Sequence, residues 1–98
     1  MKTNKILVKD VTNNTLSNTD GVLLHIAINN ALGNSDSVIL SFHDIHVLSS
    51  SFLNSSIGDI VDKHGFAVLN KIRIVDYTAS ISTFLKNYIS DLRILTAK

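Results

Sequence analysis

Cysteine and proline are both absent from the 98 residues, and glycine occurs only four times. Without cysteine there is no disulfide framework, no thiolate metal site and no cysteine nucleophile, and the composition fits a reducing, cytoplasmic setting. Long apolar runs are missing too. Val22-Leu23-Leu24 and Val38-Ile39-Leu40 fall far short of the roughly 18 residues that a membrane-spanning helix requires. The charged start Met1-Lys2-Thr3-Asn4-Lys5 leads only into Ile6-Leu7-Val8, too short an apolar stretch for a signal-peptide core, so no export is expected. Nine Lys and Arg against eight acidic residues leave a formal charge of +1. The cations are scattered rather than striped along one element, which argues against nucleic acid as the primary partner. Gly21, Gly33, Gly58 and Gly65 form neither a dinucleotide fingerprint nor a P-loop.

What is present is 45% hydrophobic and 17% charged residues, the balance of one folded domain over residues 1–98 rather than of a disordered chain. Lys5-Ile6-Leu7-Val8 predicts a first strand, and the polar cluster Thr12 to Asn18 a loop. Thr19 or Asp20 can cap a first helix over about 20 to 32. Its apolar face would hold Leu23, Ile26, Ala27 and Ala31, and Gly33-Asn34 would supply a left-handed stop. Val38-Ile39-Leu40-Ser41-Phe42 reads as the central strand of a parallel sheet, covered on both faces.

A second helix is expected over about 51 to 64, with Leu53, Ile57, Ile60, Val61 and His64 recurring at helical spacing before Gly65. Lys71 to Val75 predicts a third strand. Ile81, Phe84, Leu85, Tyr88, Ile89 and Leu92 then form the clearest amphipathic stripe in the chain. Arg93-Ile94-Leu95 either extends that helix or adds an edge strand. Strand and helix alternate with short links, which predicts right-handed β-α-β crossovers and an α/β fold with a mainly parallel sheet of about four strands.

Two groups of side chains invite a chemical reading. His43, Asp44 and His46 have ligand chemistry but no third and fourth ligand at a defined spacing, so they read as a turn at the end of the central strand. His25 and His64 read as half-buried helix residues. The second group is Ser49-Ser50-Ser51. A serine hydrolase would need glycines around a strained nucleophile turn and a matched base, whereas Phe52 and Leu53 follow these serines. Ser49 or Ser50 capping the second helix explains the cluster at its simplest. A phosphoryl group on the same serines would add about two negative charges at a positive helix end and change which partner surface is tolerated.

Val38 to Phe42, followed by Ser50-Ser51-Phe52-Leu53, Gly58 and Ile60, resembles the STAS-like domain family of unknown function, DUF4325. In that family a buried strand leads to a serine-serine-phenylalanine-leucine motif that opens a helix, with a glycine soon after and then a further strand and helix. The likeness covers roughly residues 20 to 92 and implies a small STAS-like domain. The broader STAS fold is that of bacterial anti-sigma factor antagonists, which bind a kinase of the histidine-kinase ATPase fold and are switched by serine phosphorylation at the start of the second helix. Ser50 resembles the phosphorylated position. Ser49 and Phe52 stand where those antagonists carry an aspartate and a glycine.

The resemblance and the missing catalytic groups together imply a non-enzymatic regulatory domain that takes no cofactor and no metal. Ser49, Ser50, Ser51 and Asn54 would meet a protein partner, a histidine-kinase-fold ATPase, and Ser50 would be the modified residue. The alternatives are a small-ligand sensor, with a nucleotide held at the carboxyl ends of the strands, and a homodimeric structural component.

Overall fold

The computed structural model describes residues 2–96. Three strands, β1 (Thr3–Leu7), β2 (Ser37–Ser41) and β3 (Ile72–Val75), pair in parallel in the order β1-β2-β3. β2 is therefore central, as its apolar run predicts. The register sets Ile6 beside Leu40 and Leu40 beside Ile74. A single helical turn, α1 (Val8–Val11), follows β1, and α2 (Asn18–Asn34) returns the chain to β2. From β2 the chain passes through α3 (Ser50–Leu53), a π-helical turn (Asn54–Gly58) and α4 (Asp59–His64), which run on from one another, and then a 3-10 segment (Phe66–Lys71) into β3. The last element is α5 (Ala79–Thr96).

β1 begins earlier than its apolar residues suggest because Thr3 and Ser37 join the ladder, their hydroxyls 3.0 Å apart. Val8 leaves the strand and is fully buried at the start of α1. The cap of α2 is Ser17 rather than Thr19 or Asp20. Its Oγ accepts the Asp20 N–H at 3.2 Å and donates to the Asp20 carboxylate at 2.7 Å. The Ser17 N–H goes instead to Asn14 Oδ1 at 3.2 Å, so this is a serine cap closed by the Asp20 side chain and not a reciprocal capping box.

The inner face of α2 also differs from expectation. Leu24, Ile28 and Ala31 are buried, while Leu23 and Ile26 are exposed. Apolar residues lie on both sides of this helix, so periodicity selects no face. Gly33 continues the helix, and the left-handed glycine is Gly65, at φ 88°, after α4.

Two further expectations are corrected. The sheet has three strands, not about four, because Arg93 to Leu95 lie within α5, where the apolar stripe runs on without a stop signal. The sheet is also covered on one face, not two. α2 packs against α3, the π turn and α4, so both crossovers share one side of the sheet. On that side Val38 and Leu40 are fully buried; on the other, Lys5 and Arg73 are exposed and Ile39 is half-buried. Ile81 and Leu85 of α5 complete the core, with Phe84, Tyr88 and Leu92 against it. No helix among the described residues is long and apolar enough to cross a membrane.

Candidate functional site

The link from β2 to α3 emerges at the carboxyl end of the central strand, where an α/β sheet places its functional loops. Phe42 extends the ladder by donating its N–H to Val75 O at 3.0 Å. His43 and Asp44 then form the turn expected of them, with Asp44 at φ 61°. The Lys9 ammonium sits 3.0 Å from the Asp44 carboxylate. That hydrogen bond, helped by the nearby His43 ring, holds the Asp44 carboxyl below the usual aspartate range. His46 is exposed beyond the turn. A depression of about 330 Å³ lies here, with Lys9, Asn13, Asn14, Asp44 and His46 in its lining.

Ser49 fastens this loop to α3. Its Oγ accepts the Phe52 N–H at 3.0 Å and donates to Leu16 O at 2.7 Å, and its own N–H donates to Thr15 O at 3.1 Å. The Thr15 hydroxyl in turn donates to Val47 O. The loop before α2 and the loop before α3 are thus strapped together through Ser49. Of the two cap candidates it is Ser49 that caps; Ser50 is the first helical residue.

Ser50 and Ser51 are exposed, and their hydroxyls make no hydrogen bond among the described residues. Asn54, one turn after Ser50, is exposed as well, but its Oδ1 accepts the Tyr88 hydroxyl of α5 at 2.8 Å. On the other side Ser55 reaches Asn18 at the start of α2, with 3.4 Å between their oxygens. The serine junction therefore sits between the start of α2 and the middle of α5. Tyr88 ionises above the usual tyrosine range, chiefly because it is partly buried and secondarily because Asp59 is near.

Below this tip Phe52 and Leu53 are fully buried, so the motif's polar half faces out and its apolar half anchors it. The π turn begins at Asn54, and the buried Ser56 hydroxyl donates to Phe52 O at 2.8 Å, a bond back to the carbonyl one turn earlier. At Gly58 a Cβ would come 2.6 Å from the Tyr88 hydroxyl, so a glycine here lets α5 approach.

The chain matches the STAS-like domain of unknown function (DUF4325) over residues 20–82, well over half its length. It belongs to that family. No curated protein and no solved structure matches it. Within this STAS-like domain the matched stretch opens inside the first turn of α2, so the strapping residues Thr15 and Leu16 and the cap Ser17 lie just before it.

All four residues expected at a partner face, Ser49, Ser50, Ser51 and Asn54, come together at this tip. The sequence reading missed its apolar neighbours. Leu16 and Val47 keep 50% and 55% of their surface exposed on the two strapped loops. Leu16 could have been found as a lone aliphatic in a polar loop, whereas Val47 lies beside the buried Leu48 and carries no such signal. His64 is exposed rather than half-buried, its Nε2 3.0 Å from Asn29 Oδ1.

Proposed function

We propose that this STAS-like domain is a regulatory protein-interaction module that meets its partner through the serine junction. The observation that carries the reading is the division of labour among the serines. Ser49 is consumed in capping and strapping, which leaves Ser50 and Ser51 as unengaged hydroxyls on a braced helix start beside exposed Leu16 and Val47. Apolar anchors with polar groups around them are the composition of a recognition patch. Among the described residues none of these serines is hydrogen-bonded to a base, which supports a non-enzymatic reading. The partner class is a histidine-kinase-fold ATPase, which the likeness to anti-sigma factor antagonists supports.

Ser50 is the position for a regulatory phosphate. Its hydroxyl is free, and a phosphoryl group there would lie beside the unpaired N–H groups of the first turn. It would also stand one turn from Asn54, whose bond to Tyr88 ties the patch to α5. Co-purification from the native cell tests the reading. One stoichiometric partner carrying an ATPase domain is expected; recovery of the chain alone contradicts it.

A further inference from the structure

A further cleft lies at the other end of the sheet, where the strands begin. It has a volume of about 540 Å³, within the usual range for small-molecule sites. Leu32, Ala67 and Val68 contribute apolar surface, while Lys63, His64 and Lys71 contribute cations or a titratable base, and no carboxylate lines it. Neither lysine has an acidic side chain within ion-pair distance among the described residues. Asp59 and Asp62 of the same helix line a different depression, beside Tyr88.

A plainer account makes Lys63 and His64 complements of the α4 dipole, since both lie in its last turn. Charge arithmetic limits that account. The carboxyl ends of α2 and α4 together bring roughly one negative charge to this end of the sheet, about half a charge each. Two ammonium groups exceed that, and Lys71 lies outside α4. The cleft stays net positive.

Gly33 is the second observation. It lies inside α2, where glycine is a poor helix residue, yet it has no left-handed backbone and no atom within 4 Å of where a Cβ would stand. Neither conformation nor crowding calls for glycine here. Its consequence is an open wall on the cleft it lines. Asn29 lines the same cleft; with its Oδ1 taken by His64, its NH2 group remains as a donor.

We infer that this cleft is a binding site for a small phosphate-bearing anion, held by the Lys63 and Lys71 ammoniums and the Asn29 amide, with the ligand's remaining body against Leu32 and Val68. The site is separate from the serine junction, and its success or failure leaves the partner reading untouched.

The test titrates the full chain with inorganic pyrophosphate and, separately, with ATP in low-salt buffer, by calorimetry and by amide chemical-shift mapping. Saturable binding is expected, with shifts concentrated at residues 29–33 and 63–71. The double variant Lys63→Gln/Lys71→Gln is expected to weaken binding at least about tenfold, the scale of a lost charge-assisted contact. Gly33→Phe, which fills the open wall, is expected to block it. Binding of pyrophosphate assigns recognition to the phosphates alone, and binding of ATP alone assigns a share to the apolar floor; either supports the site. Failure of both anions to saturate, or binding unchanged in the lysine variant, overturns it.

Discussion

The three consecutive serines show how adjacent identical side chains acquire different tasks. A residue just before a helix has its Oγ within reach of the first-turn N–H groups, whereas the residues that follow project outward. Ser49→Ala therefore removes both the Phe52 bond and the strap to Leu16, and should cost about 1 kcal/mol or somewhat more. Ser50→Ala should stay within about 0.5 kcal/mol of the parent, as an exposed change with no partner to lose. Urea unfolding of the two variants checks the difference. Equal losses would mean that the cap has been assigned to the wrong serine.

Asp20 gives a second test at this scale. Its carboxylate accepts from the Ser17 hydroxyl and from the Asn13 N–H at 2.7 Å, and these bonds, led by that of Ser17, hold its carboxyl below the usual aspartate range. A folded-state value lower than the unfolded one means that the contribution is fully present above pH ~4 and is lost as pH falls through the depressed value. Melting temperature followed against pH should show the gap between the parent and Asp20→Asn closing on acidification. A gap that is constant down to pH ~2 would remove the carboxylate's role in the cap.

Among the elements, the contact of α2 with the serine-motif helix depends on Gly21. A Cβ at that position would lie 2.5 Å from Phe52 O and 2.7 Å from Ser55 Cβ, and the carbonyl belongs to helix backbone that cannot turn aside. Gly21→Ala should destabilise by about 1–3 kcal/mol in spite of alanine's better helix propensity. Gly33→Ala, in the same helix with open space around it, should stabilise by up to about 1 kcal/mol. Thermal melts of the pair, moving in opposite directions, would confirm that the first glycine is there for packing.

Legibility in the sequence followed the strength of each element's pattern. The α5 stripe and the continuous run of β2 were readable because a single period or a single unbroken run dominates. α2 was not, since Val22, Leu23 and Ile26 on its outer side match Leu24 and Ile28 on its inner side in hydropathy. The π turn at Asn54–Gly58 leaves the apolar spacing of the helix almost unchanged, and the Ser56 hydroxyl that accompanies it has no local sequence signature. Of the candidate site, the serines and Asn54 were legible from the motif. Leu16, Asn18 and Tyr88 reach the junction through long-range contacts that no short pattern encodes.

Taken as a whole molecule, the chain separates two surfaces by the polarity of its parallel sheet. Strand ends and loops meet at the serine junction, while the helix ends and the two lysines of the cleft gather where the strands begin. α2 spans the distance between them, and its only acidic or basic side chain besides the imidazole of His25 is Asp20, which is buried in its own cap. Its exposed Val22, Leu23 and Ile26 add apolar surface to the amino-terminal half of this helix, the half that reaches the junction through Asn18. A partner face at the junction, as proposed, would draw its selectivity chiefly from shape and from the serine hydroxyls.

The most direct measurement is the affinity of the purified chain for its co-purified partner, compared among the parent, Ser50→Glu, Asn54→Lys and Lys63→Gln. Charge placed at Ser50 or Asn54 should weaken the complex at least about tenfold, equivalent to roughly 1.4 kcal/mol, while Lys63→Gln at the far end leaves it unchanged. A complex indifferent to Ser50 and Asn54, or lost equally in all three variants, would contradict a partner face at the serine junction.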